Sequence, residues 1–183
     1  VCDGGFLGTS LEFVDIGTDD MSQTDLFKEL QSSDFFSGVA DEYLQSLSEI
    51  CELQEFPGRS TVFEEYERAG KVYIILSGEI SLAICEPDEA CKQIAVVHAG
   101  DLMGWSPLVG RTRLYDTARA LTPVKALVFD GDALMEFCGK NPVFGFRFMH
   151  RVACTLAERL SGTRLQLLEM SGVHLPEFPI ESD

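Results

Sequence analysis

The residues able to do chemistry fall into three groups. The histidines, His98, His150 and His174, lie far apart in the chain. No Ser/His/Asp order and no paired carboxylate accompanies them, so they do not support an active site. A metal site inside a β-barrel would need several histidines and a carboxylate on adjacent strands, and only His98 falls on a strand. The expectation is a chain with no catalytic residues, no metal and no resident cofactor. The cysteines are Cys2, Cys51, Cys85, Cys91, Cys138 and Cys154, with no CxxC pair and no Cys/His cluster among them. Most sit in apolar contexts and read as buried free thiols. Cys85 and Cys91 flank the turn EPDEA and could face each other across a hairpin, which permits a disulfide as the alternative.

The third group is the stretch from Gly100 to Leu121, GDLMGWSPLVGRTRLYDTARAL. It opens with a turn at Ala99-Gly100-Asp101, passes a glycine and a short apolar knot from Gly104 to Leu108, crosses a basic loop from Gly110 to Arg113, and ends in an alternating strand. Glycine lets backbone approach a ligand closely, and successive N–H groups at a helix start form a concave anion site. Such a cradle suits a phosphate.

This stretch resembles the phosphate-binding cassette of the cyclic nucleotide-binding domain family, the sensor half of catabolite-activator and Crp/Fnr-type regulators and of kinase regulatory subunits. The resemblance runs from about Leu26 to Met170. It takes in the glycine-ended strand pair KVYIILSGEISL, the Gly100-Asp101 turn, the cassette, the TARAL strand and a long helix. It implies a ligand pocket at Gly104, Trp105, Ser106, Leu108, Arg113, Leu114, Tyr115, Asp116 and Thr117. The family's cassettes place a glutamate after the glycine for the ribose hydroxyl, and an arginine before a small residue for the cyclic phosphate. Here Trp105 follows Gly104, and the arginine slot falls on Leu114 or Tyr115. The resemblance therefore implies a sensor-type domain whose pocket is plugged or altered, not one that takes cyclic AMP or cyclic GMP in the usual way. An indole in the ribose slot leaves either a packed barrel or a pocket for a less polar effector, with Tyr115, Asp116 and Thr117 supplying hydrogen bonds. Arg113 could take over the phosphate role, although one step along a strand it points to the other face. Two other readings stay open: a pocketless scaffold, and a true cyclic-nucleotide sensor working with a separate effector chain.

The elements that would hold this cassette are legible in the period of the apolar residues. Leu26, Phe27 and Leu30, then Val39, Tyr43, Leu44, Leu47 and Ile50, mark two amphipathic helices, the second opening near Ser37-Gly38. From Cys51 the period becomes two. Strands are predicted at 53–56, 61–63, 72–76, 80–84, 94–97 and 124–129, with an acidic hairpin tip at Glu86 to Glu89. Short strands with Pro/Gly turns imply a sandwich or barrel. With the resemblance this becomes a mainly β fold with flanking helices, a double-stranded β-helix or jelly roll. Asp130-Gly131 opens a short helix ending at Cys138-Gly139, and Asn141-Pro142 opens a long one.

Along that last helix Phe144, Phe148, Val152, Leu156, Leu160, Leu165 and Leu168 keep an apolar stripe, and Phe146, Met149, Ala153, Ala157 and Leu167 add apolar surface beyond it. Such excess is usually buried against a partner, so a homodimer is expected through Phe148, Val152, Leu156 and Leu160. With 14 basic against 30 acidic residues the net charge is −16, which opposes contact with nucleic acid or an anionic membrane. No apolar run reaches membrane-spanning length, and the chain reads as cytoplasmic. The expected organisation is a tail or extension at 1–20, with Leu11 to Val14 as an alternative edge strand. A cyclic nucleotide-binding-like domain follows at 21–170, its last helix at about 142–170. The remaining 171–183 form a second tail, in which HLPEFPIESD offers no recognition helix. A small-molecule ligand and a protein effector are the remaining candidate partners.

Overall fold

A computed structural model describes residues 22–85 and 91–171. The expectations for residues 1–20, the acidic hairpin tip and the C-terminal tail, together with Cys2 and His174, lie outside the described residues.

Helix α1 (Gln23–Ser32) leads through a 3₁₀ turn (Asp34–Phe36) into α2 (Asp41–Leu47). The second helix is thus shorter than its apolar period suggested. Phe35 and Phe36 turn inward on the 3₁₀ segment, and Gly38, at φ 74°, breaks the helical path before Val39. Eight strands follow, β1 (Cys51–Phe56), β2 (Thr61–Phe63), β3 (Lys71–Ser77), β4 (Ile80–Ile84), β5 (Lys92–Val97), β6 (Leu102–Met103), β7 (Thr117–Ala120) and β8 (Val124–Asp130), with a second 3₁₀ turn (Ser106–Val109) after β6. They form two antiparallel four-stranded sheets, ordered β1-β8-β3-β6 and β2-β7-β4-β5. This is a jelly roll, closed by α3 (Gly131–Lys140) and the thirty-residue α4 (Pro142–Ser171).

The first sheet is buried on both faces, which explains why KVYIIL reads as an unbroken apolar run rather than an alternation. Val72 and Ile74, with Leu127 and Phe129 of β8, face the helices and pack among Leu30, Leu47, Phe144 and Phe148. Tyr73 and Ile75, with Val124, Ala126 and Val128, face the barrel interior and meet Ile80, Leu82 and Val97 of the second sheet. Tyr73 pairs with Val128 and Ile74 with Leu127, so the register keeps each set on its own side.

The last two helices are cut where the sequence marks them. The Asp130 carboxylate accepts from Ala133 N at 2.9 Å, capping α3. The Asn141 side-chain amide and backbone N–H both donate to Phe137 O, and Pro142 takes the first position of α4. Cys51 and Cys138 are buried free thiols, and burial pushes their pKa values up to about 12 and about 11. Three cysteines depart from the buried-thiol reading. Cys85 and Cys91 are joined in a disulfide, their Cα atoms 4.1 Å apart across the β4–β5 connection, and Cys154 is exposed on α4. Among the described residues no helix is long and apolar enough to cross a membrane.

Candidate functional site

The cassette hangs between the two sheets. Gly104, at φ 68°, ends β6 against β3: a Cβ there would lie 2.6 Å from Lys71 O and 2.9 Å from the Tyr73 ring, so only glycine fits. The chain then turns through Trp105 into the Ser106–Val109 3₁₀ turn, whose buried Leu108 joins the helix-side core. Gly110, at φ 72°, releases the chain into the basic loop, and it returns along Leu114 to Thr117 into β7.

Six of the nine cassette residues singled out from the sequence line one cavity: Gly104, Trp105, Ser106, Leu114, Tyr115 and Asp116. The other three do not. Leu108 points into the helix-side core; Thr117 is buried, and its hydroxyl accepts from Glu65 N at 3.1 Å. Arg113 is exposed and donates to Tyr66 O at 2.7 Å, which ties the basic loop to the β2–β3 connection and keeps the guanidinium out of the cavity. Arg111 lies over the Tyr115 ring, 4.7 Å from its centroid. What remains of the cavity is about 10 Å³, at the limit for a single water.

Residues 53–141 match the family model for the cyclic nucleotide-binding domain. The chain is 25% identical over 147 residues to a CRP-like cAMP-activated global transcriptional regulator of Mycobacterium tuberculosis, covering 80% of this chain and 64% of that one. Over 133 residues it is 29% identical to an HTH-type transcriptional regulator, Cmr, of the same species, covering 73% and 52%. The chain thus spans less than two thirds of the curated relatives it matches. Among solved structures, a cyclic nucleotide-binding domain from Methylobacillus flagellatus superposes with a TM-score of 0.67 at 20% identity, covering 89% and 90% of the two chains. Residues 53–141 are a cyclic nucleotide-binding domain of the Crp/Fnr type. Its relatives place it among regulatory and sensor domains, and those named here are regulators rather than enzymes.

In this domain the space under the cassette is taken by the protein itself. Trp105 is half-buried against the helix-side core. Arg159 reaches in from α4, lines the cavity and donates an Nη2 hydrogen bond to Leu102 O. Burial holds the Asp116 carboxyl above its ordinary range, while Arg159 pulls it back down and Glu65 adds to the rise. Burial likewise lowers Arg159, with Asp101 and Asp116 opposing. Arg159 and Asp116 thus both line this cavity and act on each other through their charges.

Arg159 is the residue that sequence reasoning missed. Its signal was present: counting from Val152 and Leu156, the barrel-facing stripe of α4 next returns at 159, where a lone arginine interrupts it. Beside the closed cavity runs a cleft of about 400 Å³, bounded by Trp105, Asp116 and Arg159 on the cassette side and by Leu156, Leu160 and Gln166 on α4.

The face expected to pair two long helices needs correction. Phe148 and Val152 are 3% and 1% exposed, buried among the chain's own Phe35, Phe36 and Phe144, and Leu156 is half-buried against the same core. They face inward because α4 must cover the first sheet, whose outer side carries Ile74, Leu127 and Phe129. Of the four, Leu160 is exposed, at 52%, and Leu165 and Leu167 join it farther along.

Proposed function

We propose that this domain is a non-catalytic sensor that does not take cyclic AMP or cyclic GMP in the usual way, because Trp105 and Arg159 line what little cavity the cassette keeps and neither Leu114 nor Tyr115 offers a phosphate a cation. The observation that carries this is the closed cassette: about 10 Å³ of free space, with Arg159 bonded to Leu102 O and facing Asp116. A nucleotide entering there must displace a guanidinium from buried partners and meets a carboxylate, Asp116, rather than a free cation. Losing one charge-assisted phosphate contact costs about 1.5–3 kcal/mol, roughly a hundredfold in affinity at the upper end. The effector site on this reading is the adjoining cleft, where Trp105, Leu156 and Leu160 offer apolar surface and Asp116 and Gln166 offer hydrogen bonds. Calorimetry with cyclic AMP and cyclic GMP is expected to give no binding in the low-micromolar range. Low-micromolar binding of either nucleotide would overturn the reading in favour of a true cyclic-nucleotide sensor.

Assembly belongs to the same proposal. Leu160 and Leu167 are one heptad apart, both exposed, and Ala153 and Ala157 extend their face with small residues. Two copies of α4 crossing there would bury this face and roof the cleft. Leu160→Glu should yield a monomer at concentrations where the parent is a dimer, with the sheets still folded, since sedimentation reads mass and circular dichroism reads the barrel. A parent that sediments as a monomer at high concentration removes the dimer from the proposal. Direct contact with nucleic acid is not part of the reading, because a chain of charge −16 repels a polyanion.

A further inference from the structure

A second recess, remote from the cassette, lies between the first 3₁₀ turn and the start of α4. Its volume is about 400 Å³, within the range of small-molecule sites. The walls are aromatic. Phe35 and Phe148 meet edge to face at 5.8 Å between centroids, Phe144 and Phe148 stack at 5.8 Å, and Phe146 stands at the rim, 74% exposed. The polar lining is cationic. Arg147 and Arg151 donate to the carbonyls of Gly38 and Ser37, and His150 stacks on Phe146. Among the described residues no acidic one lines the recess, in a chain with more than twice as many acids as bases.

The guanidinium of Arg151 carries the argument. Its Nη2 is bonded to Ser37 O and its Cζ lies 6.0 Å from the Phe35 centroid, yet its Nη1 is buried with no acceptor among the described residues. A buried cationic donor without a partner is costly, and the cost is recovered when an anionic acceptor arrives. Nη1 is shielded as the side chain stands, so a carboxylate in the recess reaches it by a turn of the guanidinium, and the phenylalanine walls suit an apolar body attached to that carboxylate.

We propose that this recess is a second ligand site, which binds a small organic monoanion with an aromatic or aliphatic body: Arg151 turns its buried Nη1 into the recess to donate to the carboxylate, and the body lies along Phe35, Phe146 and Phe148. The site uses neither the cassette nor Arg159, so it stands whether or not a cyclic nucleotide binds elsewhere.

The test titrates the full chain with 4-phenylbutyrate and, in parallel, with neutral 4-phenylbutanol, followed by calorimetry and by ligand-observed NMR. The expected result is saturable binding of the acid at least tenfold tighter than the alcohol. Arg151→Met should abolish the preference for the acid, Phe146→Ser should weaken both probes, and Arg159→Met should change neither. Phe146 is at the surface, so its variant keeps the test sound should Arg151→Met fail to fold. Equal affinity for acid and alcohol overturns the proposal, as does unchanged binding in Phe146→Ser and Arg151→Met. If neither probe binds and Phe146→Ser instead turns a dimer into a monomer, the recess is an interface between copies and the proposal falls.

Discussion

Two arginines on one helix have opposite fates. Arg151 and Arg159 are eight residues apart on α4, roughly 12 Å along its axis. Each donates Nη2 to a backbone carbonyl of a neighbouring segment, Ser37 O for Arg151 and Leu102 O for Arg159. At Arg159 the charges of Asp101 and Asp116 oppose the cost of burial, and on the cassette side only about 10 Å³ of space remains, the open cleft lying on the other side. At Arg151 the surroundings are phenylalanine, Nη1 is left without an acceptor, and about 400 Å³ stays open. Helix and anchoring bond are alike; the difference is whether carboxylates lie near enough for their charge to act on the guanidinium. A buried arginine by itself says nothing about whether a site is filled or waiting.

The comparison can be broken first at the backbone. Gly104 and Gly38 both sit at positive φ, but a Cβ at Gly104 would run into Lys71 O and the Tyr73 ring, whereas at Gly38 nothing lies within 4 Å. Gly104→Ala combines a left-handed alanine with a clash against backbone and should cost at least about 3 kcal/mol. Gly38→Ala carries only the conformational term, about 1–2 kcal/mol. Urea unfolding of the two variants measures both. Equal losses would mean that the cassette is no more tightly built than the loop beside the aromatic recess.

The next break removes the guanidiniums. Arg159→Met leaves Asp116 half-buried with only Glu65's like charge for company, and is expected to destabilise by about 1–3 kcal/mol. Arg151→Met removes an unsatisfied donor along with one backbone bond, and should stay within about 1 kcal/mol of the parent. If Arg151→Met proves the more damaging of the two, the contrast between plug and vacancy is wrong.

Much of this contrast was out of reach of the sequence, and the reason is physical. The jelly roll was legible because strand and helix periods are local: the alternation in β4, the unbroken run in β3 and the Asp130 and Asn141 caps each announce themselves within a few residues. The cassette was legible for the same reason, as Gly104, Trp105, Ser106, Leu114, Tyr115 and Asp116 lie within thirteen positions and line one cavity. Arg159 was not, since it meets Leu102 from 57 residues away and only docking of α4 brings it there. The stripe of α4 misled for a related reason: the period shows that Phe148 and Val152 share a face with Leu156, but not that the helix spends this face on its own barrel. Arg113 failed through the loop, where the bond to Tyr66 O turns its side chain outward.

The smallest effect sharpens the comparison through pH. Burial raises the Asp116 carboxyl above its ordinary 3.8, and although Arg159 opposes this, the net direction is upward. A carboxyl held above its unfolded value keeps its proton more tightly in the folded chain. The folded state therefore binds more protons in the window just above 3.8, and its stability falls as pH rises through that window. Below the unfolded value the penalty is absent; above the folded value it is complete. Asp116→Asn cannot titrate, so the unfolding free energy of the parent minus that of Asp116→Asn should decrease from acidic toward neutral pH. The slope should be shallow, because the carboxyl is only partly shielded from solvent and screening discounts its interactions. The same subtraction with Arg151→Met should show no trend over this window, since no carboxylate among the described residues lines the aromatic recess. Urea melts at four or five pH values read both lines. A flat or rising line for Asp116→Asn would mean that the charge of Arg159 outweighs burial at the cassette, making the approach of the two groups stabilising rather than tolerated.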